Sequence, residues 1–159
     1  DLGQCVGGKV FQLDRRKGLV SGVNEVQEKF GVPPESIADY LGLVGDTADG
    51  FPGLPGWGAK SAAAILARYG HLEDIPQDPA DWDVTVRGAA KLGATLREQF
   101  DDALLFRLIA TIQTDGVPTI TDVEELRWTG PKPELAEVAA RLDADNLVER
   151  AERLATARA

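Results

Sequence analysis

Apolar residues along this chain recur mainly at the three- and four-residue spacing of helices, with one short stretch that alternates as a strand would. Residues 9–13, Lys-Val-Phe-Gln-Leu, read as a half-buried strand. Asp14-Arg15-Arg16-Lys17-Gly18 reads as a charged turn, and Leu19-Val20 as the start of a second strand. Ser21 is placed to cap a helix over 23–30 that Gly31 stops. Pro33 and Pro34 then open a helix whose apolar face is Ile37, Tyr40, Leu41 and Val44, since missing N–H groups cost little in a first turn. An alanine-rich helix is predicted over 60–69 with Gly70 as its C-cap, followed by a polar link over 74–83. Helices over 84–99 and 101–112 come next, the second with Leu104, Leu105, Leu108, Ile109 and Ile112 as a core stripe. After Gly116-Val117-Pro118 a short extended piece leads to helices over 133–142 and 144–156. The fold class is mainly α, with a short β element near its start.

Residues 45–58 fit neither period. Gly45, Gly50, Gly53, Gly56 and Gly58 are joined there by Pro52 and Pro55, a composition that excludes a regular helix or strand. This segment connects two predicted helices and holds most of the candidate chemistry.

A length of 159 residues allows one compact domain or two small ones. No run approaches the roughly 18 apolar residues of a membrane helix, so no membrane partner is expected. The single cysteine, Cys5, excludes an internal disulfide and fits a reducing, cytoplasmic setting; its apolar context predicts a buried structural thiol. The lone His71 excludes multi-histidine metal sites and is expected at the surface or as a cap. Trp82 and Trp128 are expected to be packing residues. Methionine is absent, so further sequence is expected upstream of Asp1.

The net charge of −9 argues against a general nucleic-acid coat. Its distribution changes that picture. Residues 53–70 carry Lys60 and Arg68 with no acid, and residues 84–97 carry Arg87, Lys91 and Arg97 with no acid. An acidic body with local basic patches can hold phosphates over a small footprint.

In Gly53-Leu-Pro-Gly56-Trp-Gly58-Ala-Lys60-Ser61, glycines 56 and 58 permit positive φ and remove the Cβ atoms that would keep a phosphate away. Unpaired N–H groups at the following helix start favour an anion, and Lys60 adds a point charge one turn in. The turn reads as a grip on a backbone phosphate that does not read bases. Glycines serving only a tight helix–helix turn are the bland alternative. A Walker P-loop is excluded by spacing, and a dinucleotide fingerprint by the preceding helix. Arg87 and Lys91, at i and i+4, would form a second phosphate strip on one helix face, or simply a solvated face.

Asp46 and Asp49 stand at i and i+3 just before the turn, a spacing that puts both carboxylates on one face of a helical end. Hard oxygen ligands at close range suit Mg²⁺ or Mn²⁺. Taken alone, D-x-x-D more often means a capping Asp46 beside a solvated Asp49.

The two motifs together resemble a family signature. Leu43-Val-Gly-Asp-Thr-Ala-Asp-Gly-Phe-Pro-Gly-Leu-Pro-Gly-Trp-Gly-Ala-Lys-Ser-Ala resembles G-D-x-x-D-N-[IL]-P-G-[IV]-x-G-[IV]-G-x-K-[ST]-A of the 5′-nuclease family, which includes flap endonucleases and the 5′→3′ exonuclease domain of bacterial DNA polymerase I. Tyr69-Gly70, the run from Leu108 to Ile112, and Asp1-Leu-Gly-Gln4 also look like bacterial members. Gly50 stands where many members have Asn, and Trp57 where an aliphatic residue is usual. The resemblance implies a helix–three-turn–helix (H3TH) DNA-binding domain over 45–159, and over 1–44 the C-terminal edge of a PIN-like nuclease domain with a short β remnant. It implies Asp1, Asp46 and Asp49 as ligands of the second of two Mg²⁺ or Mn²⁺ ions. It also implies backbone carbonyls of Gly53, Leu54 and Trp57 around a K⁺. Gly56, Gly58, Lys60 and Ser61 would lie on duplex DNA. The family's other catalytic acids, lysine, arginine and helical arch lie upstream of anything present here.

Three function classes follow. The first is part of a metal-dependent nuclease acting at DNA 5′ flaps or ends in replication and repair, monomeric, and inactive as an isolated chain without its N-terminal half. The second is a non-catalytic duplex-binding module, which has no need of Asp46 and Asp49. A non-DNA interaction domain, suggested by the acidic tail, is disfavoured by Lys60 beside three glycines.

Overall fold

A computed structural model describes residues 1–114, 120–144 and 146–158. The stretch at Gly116-Val117-Pro118 lies outside the described residues. Two compact units are formed, Asp1–Gln113 and Thr114–Ala159. The expected boundary between residues 44 and 45 falls inside the first.

The first unit begins with a 3-10 turn, Leu2–Cys5, and an antiparallel hairpin of β1 (Gln12–Asp14) and β2 (Leu19–Ser21), in which Leu13 faces Val20. Its tip is the expected charged turn, closed by Asp14 Oδ1 accepting from the N–H groups of Arg16 and Lys17. The hairpin is shorter than the pattern predicts and is not half-buried: Val10, Phe11, Leu13, Leu19 and Val20 are all exposed. The 3-10 turn directs Gly3 and Val6 inward, which leaves Cys5 exposed, contrary to expectation.

Helix α1 (Val23–Phe30) starts at Gly22, whose N–H donates to the Glu25 carboxylate at 2.7 Å. Glu25 thus does the work expected of Ser21, which instead pairs with Gln12 in the hairpin. After a 3-10 turn opened by Pro34, α2 (Ile37–Val44) carries the center of the core, with Ile37, Leu41 and Leu43 buried. Helix α3 (Ala59–Tyr69) adds Ala62, Ile65 and Leu66. Helix α4 (Ala89–Glu98) adds Leu92 and Leu96, and α5 (Phe100–Ala110) lies along α2.

Two sequence expectations fail here. Residues 84–88 are not helical; Gly88, at φ 77°, starts α4 five residues late. On α5 the buried face is Ala103, Ala110 and the stem of Arg107, while Leu105, Leu108 and Ile109 are exposed. The reason is the closeness of α2 to α5: a Cβ on Gly42 would sit 2.9 Å from the Ala103 carbonyl oxygen. Small residues are selected at that contact, so the largest apolar residues do not mark the core side.

One buried carboxylate organizes this packing. Asp39, 3% exposed at its side chain, accepts from Arg107 Nη1 at 2.8 Å and from the Leu72 N–H at 3.2 Å, and pairs with His71 Nδ1 at 2.9 Å. Arg107 also holds Glu73 through both of its terminal nitrogens. The network joins α2, α5 and the segment after α3. Its members compensate the burial of the carboxylate, which would otherwise cost several kcal/mol on the order of a broken buried ion pair.

In the second unit, α6 (Leu135–Arg141) and α7 (Asn146–Arg158) follow a 3-10 turn, Val123–Leu126, whose start is capped by Asp122 accepting from the Glu124 N–H at 2.9 Å. Trp128 is 41% exposed, with the Arg158 guanidinium 5.9 Å from its ring centroid, so it packs at the surface of this unit. No helix among the described residues is long and apolar enough to cross a membrane.

Stability should vary with pH through His71. The hydrogen bond to Asp39 raises the His71 pKa above its ordinary value near 6.5. The native state therefore binds the proton more tightly than the unfolded chain. That stabilization is fully present below about pH 6.5 and is lost as pH rises through the raised native value. Urea midpoints measured between pH 6 and 8.5 should decline for the native chain and stay flatter for His71→Gln; equal slopes would contradict this.

Candidate metal and nucleic-acid site

The segment between α2 and α3 is positioned by a backbone crossing. Gly45 closes α2 at φ 83°, and Gly53 sits against it at φ 69°. A Cβ on Gly45 would overlap Pro52 and lie 2.7 Å from the Gly53 nitrogen; one on Gly53 would overlap Val44 and lie 2.6 Å from the Leu43 oxygen. The Leu54 N–H donates to the Leu43 carbonyl at 2.8 Å across the same crossing. Between the two glycines, residues 46–51 form a closed loop. The Asp46 N–H donates to Phe51 O at 3.0 Å, and the Gly50 and Phe51 N–H groups return to Asp46 O. Phe51 is buried and stacks on Phe106 of α5 at 5.9 Å between centroids.

This loop presents the acids. Asp46 Oδ1 accepts from the Ala48 N–H at 2.8 Å and, more weakly, from the Asp49 N–H at 3.4 Å. The two carboxylates are thus brought together by a tight Asx-type turn and not by a helical end, which is a correction to the spacing argument. Asp1 joins them: one carboxylate oxygen from each of Asp1, Asp46 and Asp49 lies within 4.8 Å of the others. Gln4 ties this end of the chain to α5: its N–H donates to the Asp1 carbonyl at 2.9 Å, its Nε2 donates to Ala110 O at 2.8 Å and its Oε1 accepts from the Ile112 N–H at 3.2 Å. Pattern reasoning did not single out Gln4 as a positioning residue, although it stands in the Asp1-Leu-Gly-Gln4 run.

Hard oxygen donors in such a cluster fit a divalent cation. Mg²⁺ takes oxygens at about 2.0–2.1 Å, so the present separation closes by rotation of side chains, and Asp1 and Asp49 are exposed and free to rotate.

Across the crossing lies the glycine turn. Trp57 is buried, donates its indole N–H to Leu92 O at 3.2 Å and packs on Trp82, so it anchors the turn to α4. The Leu54 carbonyl already accepts from the Trp57 N–H at 3.1 Å, while Gly53 is buried. Gly56 has φ 85°; Gly58 is extended, and a Cβ there would meet nothing within 4 Å. Ser61 Oγ exchanges hydrogen bonds with the Gly58 N–H and carbonyl at 3.1 and 3.0 Å, so its hydroxyl caps α3. Lys60 is exposed in the first turn of α3, which contains no acid.

Lys60 does not stand alone. An open pocket of about 500 Å³ is lined by Gly56, Gly58, Lys60 and Ser61 together with Thr85 and Arg87. Arg87 reaches this groove from the loop before α4, so Arg87 and Lys91 do not share a helix face; Lys91 is exposed on α4 outside the groove lining. Among the described residues, neither Lys60 nor Arg87 has a carboxylate within ion-pair distance. His71, expected as a surface or capping residue, lies away from both groups, in the Asp39 network.

Residues 32–134 match the family described as 5′-3′ exonuclease, C-terminal SAM fold. Over 123 residues, 72% of this chain, the sequence is 38% identical to DNA polymerase I of Pseudomonas aeruginosa, covering 13% of that relative. It is 44% identical over 75 residues to a 5′-3′ exonuclease of Aquifex aeolicus, covering 47% of this chain and 26% of the relative. With the flap endonuclease Xni of Edwardsiella ictaluri it shares 38% over 105 residues, 66% of this chain and 39% of that one. The chain therefore spans between 13% and 39% of the length of these relatives. A mainly helical unit, a glycine crossing flanked by clustered carboxylates and cations, and the match over 32–134 lead to one statement: the chain belongs to the 5′-3′ exonuclease family and carries its C-terminal SAM-type fold.

Proposed function

We propose that this chain is the DNA-holding part of a 5′→3′ exonuclease or flap endonuclease, and that it contributes one set of carboxylates to that enzyme's metal site. The observation that carries the reading is the juxtaposition, across one glycine crossing, of the Asp1–Asp46–Asp49 cluster and the cationic groove at Lys60. A module that only bound duplex would need the groove but not the carboxylates.

In this reading Asp1, Asp46 and Asp49 hold Mg²⁺ or Mn²⁺. Such ions, when bound in pairs, activate water and stabilize the leaving oxygen of a phosphodiester. The chain's own residues do the rest of the work described here. Gly56 and Gly58 let the phosphate backbone approach the turn, and Lys60 neutralizes a phosphate without reading sequence. Carbonyls of Gly53, Leu54 and Trp57 are the candidates for a K⁺ that joins the turn to DNA. The Asx turn of Asp46 fixes the carboxylates relative to that grip, so a strand seated on the turn lies at a set position beside the acids. Three carboxylates do not make a two-ion site, so the isolated chain is expected to bind DNA without cutting it.

One experiment tests both halves. The chain is titrated with a labeled 5′-flap duplex in Mg²⁺ and K⁺, scoring binding and cleavage together, while Mn²⁺ binding is read in parallel by electron paramagnetic resonance. Binding without cleavage is expected, weakened by salt and, for Lys60→Ala, by roughly five- to tenfold. Mn²⁺ binding should be lost in Asp49→Ala and unaffected by Lys60→Ala. No duplex binding at low salt would overturn the DNA-holding reading; DNA binding with no Mn²⁺ uptake would favor the module without chemistry.

A further inference from the structure

The path of residues 82–92 gives the groove a second wall, and that wall has its own positioning device. At one end Asp83 is clamped to the last turn of α3: its Oδ2 accepts from Arg68 Nε at 2.7 Å and its Oδ1 from the Tyr69 hydroxyl at 2.9 Å. The Asp83 N–H donates back to the same Tyr69 oxygen at 3.0 Å. At the other end Leu92 O accepts from the Trp57 indole, just before α3 begins. Residues 84–88 thus run between two anchors on α3 and on the turn before it. Thr85 and Arg87 consequently line the same pocket as Lys60, although they lie more than twenty residues away in sequence.

Resting on the DNA-holding reading above, we infer that the groove is a two-walled seat for a single DNA strand, with Lys60 on one wall and Arg87, aided by the Thr85 hydroxyl, on the other, and that the Asp83–Tyr69 clamp positions the second wall. Two facts support one strand held between the walls over two independent contacts. The cations line the same cavity, and that cavity is lined by no carboxylate. The acid nearest in sequence, Asp83, is neutralized by Arg68. A phosphodiester backbone brings successive anions along one line, which cations lining one pocket can neutralize together. Arg87 supplies a planar donor fork suited to phosphate oxygens, while Lys60 acts as a point charge.

The test is a double-mutant cycle on duplex binding by the full chain, with the salt slope recorded for each variant and folding checked by thermal melts. Lys60→Ala and Arg87→Ala should each weaken binding about five- to tenfold and lower the salt slope by about one. Their combined loss should fall short of the product, because a strand released from one wall lifts from the other. Asp83→Ala removes a negative charge and by charge alone should strengthen binding. As the positioning residue of this wall it should weaken binding instead, and should add nothing in the Arg87→Ala background. Tyr69→Phe, which conserves charge, should act in the same direction. Arg153→Ala, which removes one positive charge on α7 as Lys60→Ala and Arg87→Ala do at the pocket, should leave binding unchanged. If the chain binds duplex and Lys60→Ala weakens it while Arg87→Ala is silent or purely multiplicative, the two-walled seat is wrong and the single grip at the turn stands. If the chain does not bind duplex at all, the underlying reading fails with it.

Discussion

At residues 45 and 53 two stretches of backbone pass so closely that neither has room for a side chain, and that contact joins the Asp46–Phe51 loop to the turn before α3. Glycine is required twice over, since both residues also hold positive φ. One strand of the crossing leaves α2 and enters the Asp46–Phe51 loop; the other leaves that loop and enters the turn before α3. Because they touch, the acid-bearing loop and the cation-bearing turn start from one shared point in the backbone.

The crossing is itself held from beneath. Phe51 locks the loop onto α5, Gln4 locks the N-terminal turn to the end of the same helix, and α5 is drawn against α2 by Gly42, Ala103 and the Asp39–Arg107 pair. The position of the Asp1–Asp46–Asp49 cluster therefore depends on α2–α5 packing as well as on the loop that carries two of the acids. The buried carboxylate Asp39 binds no candidate ligand; its partners tie together three elements whose relative positions set the site.

Much of this was legible in the sequence, and the failures have physical causes. Helices α1, α2 and α3 follow from apolar spacing and glycine stops, because those signals are local. The family resemblance rested on residues 45–62, where the glycines answer a constraint no other residue type can meet. Assembly of Asp1 with Asp46 and Asp49 came from resemblance and not from spacing, since contacts forty-five residues apart leave no local pattern. The core stripe on α5 was misread because close helix packing selects Ala103 and Gly42, so size ceased to report burial. Arg87 was placed on a helix face because residues 84–88 look helical by composition. Two tertiary anchors, Asp83 on Tyr69 and Trp57 on Leu92, pull that segment out instead. The half-buried strand and buried Cys5 that the pattern predicts are absent because period alone does not say whether a covering element exists.

The central claim is that one rigid crossing sets the distance between a divalent-metal site and a DNA grip. Its most direct test is a crystal structure of the chain with Mn²⁺ and a short 5′-flap duplex, with the metal located from its anomalous signal. A manganese peak between Asp1, Asp46 and Asp49 is expected, with a backbone phosphate in the groove at Lys60 and Gly45 against Gly53 as in the free chain. A manganese peak elsewhere, or DNA seated on another face, would contradict it.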